Sequence, residues 1–293
     1  MKSICCLLGY TPQAYHKKTK QHFIKQVNEG LIVQQVHLLR KEQPRCGTRK
    51  LLLMLQPFFV QHNITIGRDV FFDLLSRNKM LVRKTKRSVH TTNSKHHFRR
   101  YPNLAKGFTP LKAHELWVSD ITYIPLKDRF AYLFLITDAY SRKIVGHHVS
   151  DDMKVSSAVV ALKKALDQKP VETIVLHHSD RGIQYCSNEY VALLQQHNAL
   201  ISMTQSGDPL ENAIAERVNG ILKTELISSR YEDIDKAALS IARAVIIYNF
   251  KRRHSSLNYQ IPNDVHQQKG PQIKRWKNYY HSSKKKEVSM PAP

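Results

Sequence analysis

The sequence predicts an α/β protein, a mixed sheet flanked by helices and preceded by a basic helical region. Three observations carry that expectation. Between Leu116 and Ser150 stand three strand-like runs, LWVSDITYI, FAYLFLITDAY and KIVGHHVS, joined by polar turns at Lys127-Asp128 and Ser141-Arg142. After them helix-like and strand-like stretches alternate, as β-α crossovers require. Ahead of them residues 1–82 show helical periodicity.

Each element follows from local chemistry. In the N-terminal region Thr11 is placed to cap a helix and Pro12 to begin it. The run GLIVQQVHLLRKEQ sets Ile32, Val36 and Leu39 on one face; RKLLLMLQPFF follows a PRCGT turn; RDVFFDLLSRNKM brings Val70, Leu74 and Leu75 into register. Short helices with Lys and Arg near their starts suit a helix-turn-helix-like unit that lays one helix in a DNA groove. Residues 83–110 hold eight Lys and Arg, no acid and no apolar period. They read as an extended basic linker laid along phosphates rather than packed, with Arg83, Lys84, Lys86, Arg87, Arg99 and Arg100 as candidate DNA contacts.

Residues 111–265 form the expected core. Its three-strand meander leads to the helix SSAVVALKKALDQK, with Val159, Leu162 and Leu166 inward, then the strand ETIVLHHSDRG, the helix SNEYVALLQQHN and a short strand LISMTQ. Two longer helices, DPLENAIAERVNGILKTELI and DIDKAALSIARAVIIYNFKRRH, close it, and residues 266–293 read as a loosely ordered basic tail.

The formal charge of +23 is unevenly spread. Residues 1–110 carry 21 basic against 4 acidic side chains, 111–229 carry 12 against 14, and 230–293 carry 13 against 5, giving +17, −2 and +8. A near-neutral middle between basic arms favours a polyanion partner, nucleic acid ahead of a membrane surface. Neither a membrane span nor a signal peptide is expected, and the location implied is the cytoplasm. Four scattered cysteines without a CxxC pair read as reduced thiols, not as a zinc site.

Three acids occupy positions a packed fold would not give them without cause. Asp120 interrupts a run otherwise fit for a central strand, and Asp180 ends the strand ETIVLHHSDRG. Glu216 lies on a helix whose start is marked by Asp208 as cap, Pro209 and Glu211. The apolar stripe Ile214, Val218, Ile221 and Leu222 places Glu216 on the opposite face, with Asn212 a turn before it and Lys223 two turns after. Two acids from strands and one from a helix can converge on a pair of Mg²⁺ ions, with Mn²⁺ a substitute, for in-line phosphoryl transfer. A binding site of His177 and His178 with Asp180 is a rival, Glu211 a rival for the third acid, and Asp138 is expected near the site but not as a metal ligand.

These residues resemble a known family. WVSDITYIP, YLFLITDAYSRKIVG, HHSDRGIQYCSNEY, SMTQSGDPLENAIAERVNGILKTE and YNFKRRHSSLNYQIP, in that order, resemble the integrase core of bacterial insertion-sequence transposases of the type whose second reading frame encodes the catalytic protein, in the DDE superfamily of retroviral integrases. The resemblance implies a ribonuclease H-like core with Asp120, Asp180 and Glu216 as catalytic and metal-binding residues, the last two separated by 35 residues. Lys223 matches a position that contacts the DNA end, and Tyr248, Asn249, Arg252, His254 and Leu257 match a downstream signature, of which Arg252 and His254 are taken as DNA contacts. It further implies cleavage at the element's ends, transfer of a 3′-hydroxyl to target DNA, a homo-oligomer on DNA and a partner protein from an upstream frame. A nuclease without strand transfer and a decayed, non-catalytic DNA-binding protein are the competing readings.

Overall fold

The structure is a computed structural model that describes residues 7, 9–82, 98–205 and 209–272. The chain divides into two compact units, Met1–Thr85 and Lys86–Pro293.

In the first unit α1 spans Pro12–Glu42 and starts as expected, the Thr11 hydroxyl accepting from Ala14 N at 3.1 Å. It runs unbroken through Gly30, where two helical pieces were expected. One interior glycine costs about 1 kcal/mol against alanine, too little to end a helix of this length. The expected RKLLLMLQPFF helix is instead two, α2 (Thr48–Met54) and α3 (Gln56–Gln61), parted at Leu55 just before Pro57, which has no N–H to continue the ladder. In α4 (Arg68–Arg77) the buried face is Phe71, Leu74 and Leu75, whereas Val70 is half exposed. These side chains pack with Ile32, Val36, Leu51, Leu55 and Phe59 into one small core.

The second unit is built on β1 (Leu116–Pro125), β2 (Phe130–Asp138) and β3 (Ile144–Ser150), paired antiparallel as the meander predicts. Helix α5 (Val155–Leu166) returns the chain to β4 (Val175–Ser179), parallel to β1. Helices α6 (Ile183–Cys186) and α7 (Asn188–Gln196) lead to β5 (Ala199–Met203), parallel to β4. The sheet order β3-β2-β1-β4-β5, with three antiparallel strands followed by two parallel ones, is the ribonuclease H-like arrangement. A 3₁₀ turn (Pro209–Asn212) opens α8 (Ala213–Ile221), which passes into a π-helical turn (Leu222–Leu226); α9 (Ile234–Phe250) and α10 (Pro262–His266) follow.

Both faces of the sheet are covered, which is why β2 reads as an unbroken apolar run. Phe134 and Ile136 pack with Leu162, Tyr190 and Leu194 on one face; Leu133 and Leu135 pack with Val218, Ile241 and Tyr248 on the other. The α5 backbone comes so close to β3 that a Cβ on Gly146 would overlap the Ala161 carbonyl oxygen and touch Ala165 Cβ. Gly146→Ala is therefore expected to destabilise the unit by about 1–3 kcal/mol, read as a lower urea midpoint with an unchanged slope. An unchanged midpoint would show that α5 is free to shift.

The stretch from Phe98 to Thr109 departs from the unpacked linker expected of residues 83–110. Phe98 and Tyr101 pack on the α5–α7 side of the core, Leu104, Ala105 and Phe108 on a neighbouring cluster, and Met203 N donates to Pro102 O at 3.2 Å. Aromatic and aliphatic side chains spaced among the basic ones supply the burial that the charge count concealed. Residues 83–97, the candidate contacts Arg83, Lys84, Lys86 and Arg87 among them, and residues 273–293 of the tail lie outside the described residues.

Candidate active site

Strand register leads toward both aspartates from the same end of the sheet. β1 and β4 pair Leu116 with Leu176, Trp117 with His177 and Val118 with His178. The ladder ends there; the same register carried two residues further would point Asp120 and Asp180, just past the end of β4, to one side of the sheet. Both are half-buried. The Asp180 Oδ1 accepts from Gly182 N at 2.9 Å, an Asx turn that aims the carboxylate as the chain leaves β4. A Cβ on Gly182 would lie 2.9 Å from that oxygen, so a larger residue there would make the carboxylate shift.

Asp120 is held from two sides. Its Oδ1 accepts from Ile121 N at 2.9 Å and its Oδ2 from Asn219 Nδ2 at 2.7 Å. Asn219 belongs to α8, and a turn before Glu216 the Asn212 Nδ2 donates to Ser119 O at 2.9 Å. The two asparagines bracket Glu216 and tie its helix to β1 at Ser119 and Asp120. The buried face of α8 is Ala215, Val218, Asn219 and Ile221, with Ile214 only half-buried. The helix is thus rotated from the orientation the apolar stripe implied, and Glu216, exposed, stands at the flank of the buried face instead of opposite it. Sequence reasoning passed over Asn219; the signal was an amide at a position where the inward face continues.

Lys223, in the π-helical turn, is half-buried beside this group; burial lowers its pKa and the Asp120 charge opposes that. π-helical turns occur often at functional sites. Below the aspartates the Tyr185 phenol is held protonated, well above its ordinary range, first by burial and then by the charges of Tyr190, Asp180 and Asp120. Both carboxylates therefore lie within electrostatic reach of one buried ring.

The two histidines before Asp180 are structural ties. Nε2 of His177 lies 2.7 Å from Ser119 Oγ and 3.0 Å from Tyr190 OH, and burial, with His178 adding, lowers its pKa to about 3. The single lone pair of a neutral Nε2 accepts from one hydroxyl at a time, and the Ser119 and Tyr190 hydroxyls also bond each other. His178 donates from Nε2 to Glu211 O at 3.1 Å and accepts at Nδ1 from Ser202 Oγ at 2.8 Å, joining β4, β5 and the turn before α8. No group of three His, Cys, Asp or Glu among the described residues is gathered closely enough to hold a metal ion, which applies to His177, His178 and Asp180 and equally to Asp120, Asp180 and Glu216. The Glu211 carboxylate accepts from Gln205 N at 2.6 Å, while its expected cap partner Asp208 lies outside the described residues.

The depressed His177 pKa has a consequence for stability. The unfolded chain protonates this ring near pH 6.5 and the folded chain only near 3. Its contribution is complete above about pH 6.5 and is lost as pH falls toward 3, on the order of 1 kcal/mol per pH unit. Urea midpoints are expected to drop between pH 7 and pH 4.5, less steeply in His177→Asn; parallel profiles would assign the acid sensitivity to other groups.

Asp138 is not at the site. It pairs with Trp117, three residues before Asp120 on β1 and so about 10 Å back along the strand. Wholly buried, it accepts from His114 N at 2.7 Å and from Ser141 N and Oγ at 2.8 Å each. Arg252 and His254 are also inside. The Arg252 guanidinium makes a two-point ion pair with Glu225, Nε to Oε2 at 2.9 Å and Nη2 to Oε1 at 2.8 Å, and is 4% exposed. His254, equally buried, accepts at Nδ1 from Ser256 N at 3.3 Å. Asn249 accepts from Ile144 N and donates to Ile144 O, both at 2.9 Å, acting as an added strand residue against β3. The downstream signature thus fastens α9 to β3 and to the turn that carries Lys223. Arg99 and Arg100 are exposed, Arg99 lying over the Tyr101 ring at 5.2 Å.

Comparison with known proteins fits this arrangement. Residues 110–209 and 197–262 match two family models described as Integrase core domain. The insertion element IS600 uncharacterized 31 kDa protein of Shigella sonnei is 33% identical over 214 residues, 72% of this chain and 77% of that one. The chain belongs to the insertion-sequence transposases of the DDE integrase superfamily. A putative transposase for IS986/IS6110 of Mycobacterium tuberculosis is 36% identical over 154 residues, 50% of this chain and 55% of that one, so the match spans about half of that relative's length. Among solved structures, the HTLV-2 integrase catalytic core domain in complex with magnesium aligns with 54% of this chain and 99% of its own, at 18% identity and a TM-score of 0.43. The strand order described above, independent of that likeness, carries the fold assignment.

Proposed function

We propose that the chain is a DNA transposase that cuts at the ends of its insertion element and transfers the exposed 3′-hydroxyl to a target strand. The observation that supports this reading is the parallel register of β1 and β4, which runs toward Asp120 and Asp180, with the Glu216 helix tied to Asp120 through Asn219. Asp120, Asp180 and Glu216 are the proposed catalytic and metal-binding residues.

The donor chemistry, rather than the present spacing of the three acids, suits a hard divalent cation. Carboxylate oxygens suit Mg²⁺, and Asp120 and Asp180 are each oriented by a backbone N–H. Asp120 and Asp180 would hold two Mg²⁺ ions, or Mn²⁺ in their place, with Glu216 completing the set from the flank of α8. Bound cations there supply Lewis-acid polarisation of the scissile phosphate and charge neutralisation at the attacking and leaving oxygens.

The chain's own groups do the rest. Gly182 N and Asn219 Nδ2 fix the two aspartates in orientation, so little reorganisation is needed when a phosphodiester arrives. Lys223, beside Asp120, orients the phosphate of the element's end. No protein nucleophile is invoked; the attacking groups are water for cleavage and the DNA 3′-hydroxyl for joining. The helical N-terminal unit and the basic stretch including Arg83, Lys84, Lys86, Arg87, Arg99 and Arg100 contact terminal repeats and target DNA, in a homo-oligomer and with an upstream-frame partner. No helix among the described residues is long and apolar enough to cross a membrane, and the protein is proposed to act in the cytoplasm.

Incubating the chain with Mg²⁺ or Mn²⁺ and pre-nicked element ends is the test. Joined products are expected. Hydrolysis alone would favour a nuclease, and DNA binding without either product would favour a non-catalytic DNA-binding protein.

A further inference from the structure

Helix α9 is fastened on one side and bare on the other. The carboxylate of its cap, Asp233, accepts from Lys236 N at 2.8 Å, Asn249 bonds the backbone of Ile144 on β3, and Arg252, just past its end, pairs with Glu225. Ala237, Ile241, Ala244, Val245 and Tyr248 face the core. The rest of the unit therefore fixes the orientation of the helix and of whatever its outer face presents.

That outer face is apolar where a solvated helix face would be polar. Leu239 is 76% exposed, Ile246 57% and Phe250 51%. At about 100° per residue the three fall within about 40° of one another, so they form one stripe along the helix. Single exposed apolar residues are ordinary, but three large ones aligned on a rigid helix mark an interaction surface. Lys143 Nζ lies 5.9 Å from the centre of the Phe250 ring, yet the ring keeps half its surface open.

Charge decides what covers the stripe. The start of α9 is acidic: Glu232, Asp233 and Asp235 stand there, and the single base among them, Lys236, is engaged by Glu232 and, at 3.6 Å, by Asp233. The other end is basic, with Lys251 exposed and Lys143 beside Phe250. An apolar stripe with acids at one end and bases at the other is complementary to itself run in the opposite direction. A parallel copy would set acids against acids and bases against bases.

We propose that the outer face of α9 is a contact between two copies of this chain, packed antiparallel about a two-fold axis near Arg243. This arrangement lays Leu239 of each copy against Ile246 and Phe250 of the other and brings each Asp235 toward the partner's Lys251. Arg243 meets its counterpart at the axis, where the aliphatic stems cover the stripe and the guanidinium groups reach water. Because the helix is already held in place, association orders little new backbone. One helix face makes a small interface, so association in the micromolar range is expected. The inference deepens the homo-oligomer reading above and needs neither DNA nor the chemistry at Asp180.

Sedimentation equilibrium of the full chain without DNA is the test. Wild type is expected to distribute between monomer and dimer at micromolar concentration. Leu239→Glu and Ile246→Lys, each alone, put a charge into the stripe with the sign that the nearer helix end favours. Each is expected to weaken association roughly thirtyfold or more at a urea midpoint close to wild type. Asp235→Lys and Lys251→Asp are each expected to weaken it several-fold at low salt and together to restore it, because the double change re-forms both pairs with the signs exchanged. Wild type that stays monomeric would overturn a second copy as the occupant. A dimer indifferent to Leu239→Glu and Ile246→Lys would overturn this face as the contact and leave the homo-oligomer reading standing. Failure of the double reversal to restore association would overturn the antiparallel packing.

Discussion

Asp180→Asn is expected to leave the fold intact and to lower both end cleavage and strand joining by roughly a thousandfold or more, equivalent to about 4 kcal/mol of transition-state stabilisation. The substitution keeps the side chain's shape and one oxygen able to accept from Gly182 N, so the turn after β4 survives. What it removes is the negative charge just past the end of β4. Thermal unfolding close to wild type, duplex binding retained and products lost is the expected combination. Activity within tenfold of wild type would exclude Asp180 from the chemistry. Inserting one residue before Asp180 makes a sharper variant, because strand side chains alternate and the carboxylate would face the other side of the sheet.

Arg252→Ala is expected to cost about 3–5 kcal/mol of stability, because it leaves the Glu225 carboxylate inside without its guanidinium. Replacing both partners by methionine should recover most of that loss, since a buried pair costs desolvation that an apolar pair does not. Urea unfolding of the single and double variants measures it. The outcome also decides between two roles for this residue. A DNA contact would lose duplex affinity at unchanged stability, whereas a fastening residue loses stability first. If Arg252→Ala unfolds like wild type and binds DNA less well, the ion pair is incidental.

Much of the core was legible in the sequence. The meander between Leu116 and Ser150, the cap at Thr11 and the strand ending on Asp180 depend on local rules: β-branched alternation, a hydroxyl ahead of proline, an acid at a turn. The departures have two causes. The buried face of α8 and the packing of Phe98 and Tyr101 are set by partners far away in the chain, whereas the break at Leu55 follows locally from Pro57. A helical wheel ranks Ile214 above Asn219 because it scores apolarity, but Asn219 turns inward for the sake of one carboxylate on β1. Likewise the resemblance offers Arg252 and His254 as DNA contacts, and only the position of Glu225 and the turn at Ser256 draws them inside.

By itself, then, the sequence determined the order of strands and helices, the basic arms and which acids stand at element ends, because those are properties of residues within a few positions of one another. Tertiary structure alone decided that β1 and β4 run side by side toward Asp120 and Asp180, that Asp138 lies back along β1 opposite Trp117, and that His266 reaches His114. Those facts depend on parallel register between β1 and β4 and on the return of residues 266–270 to the start of the core, contacts across long loops whose pairing no local pattern specifies.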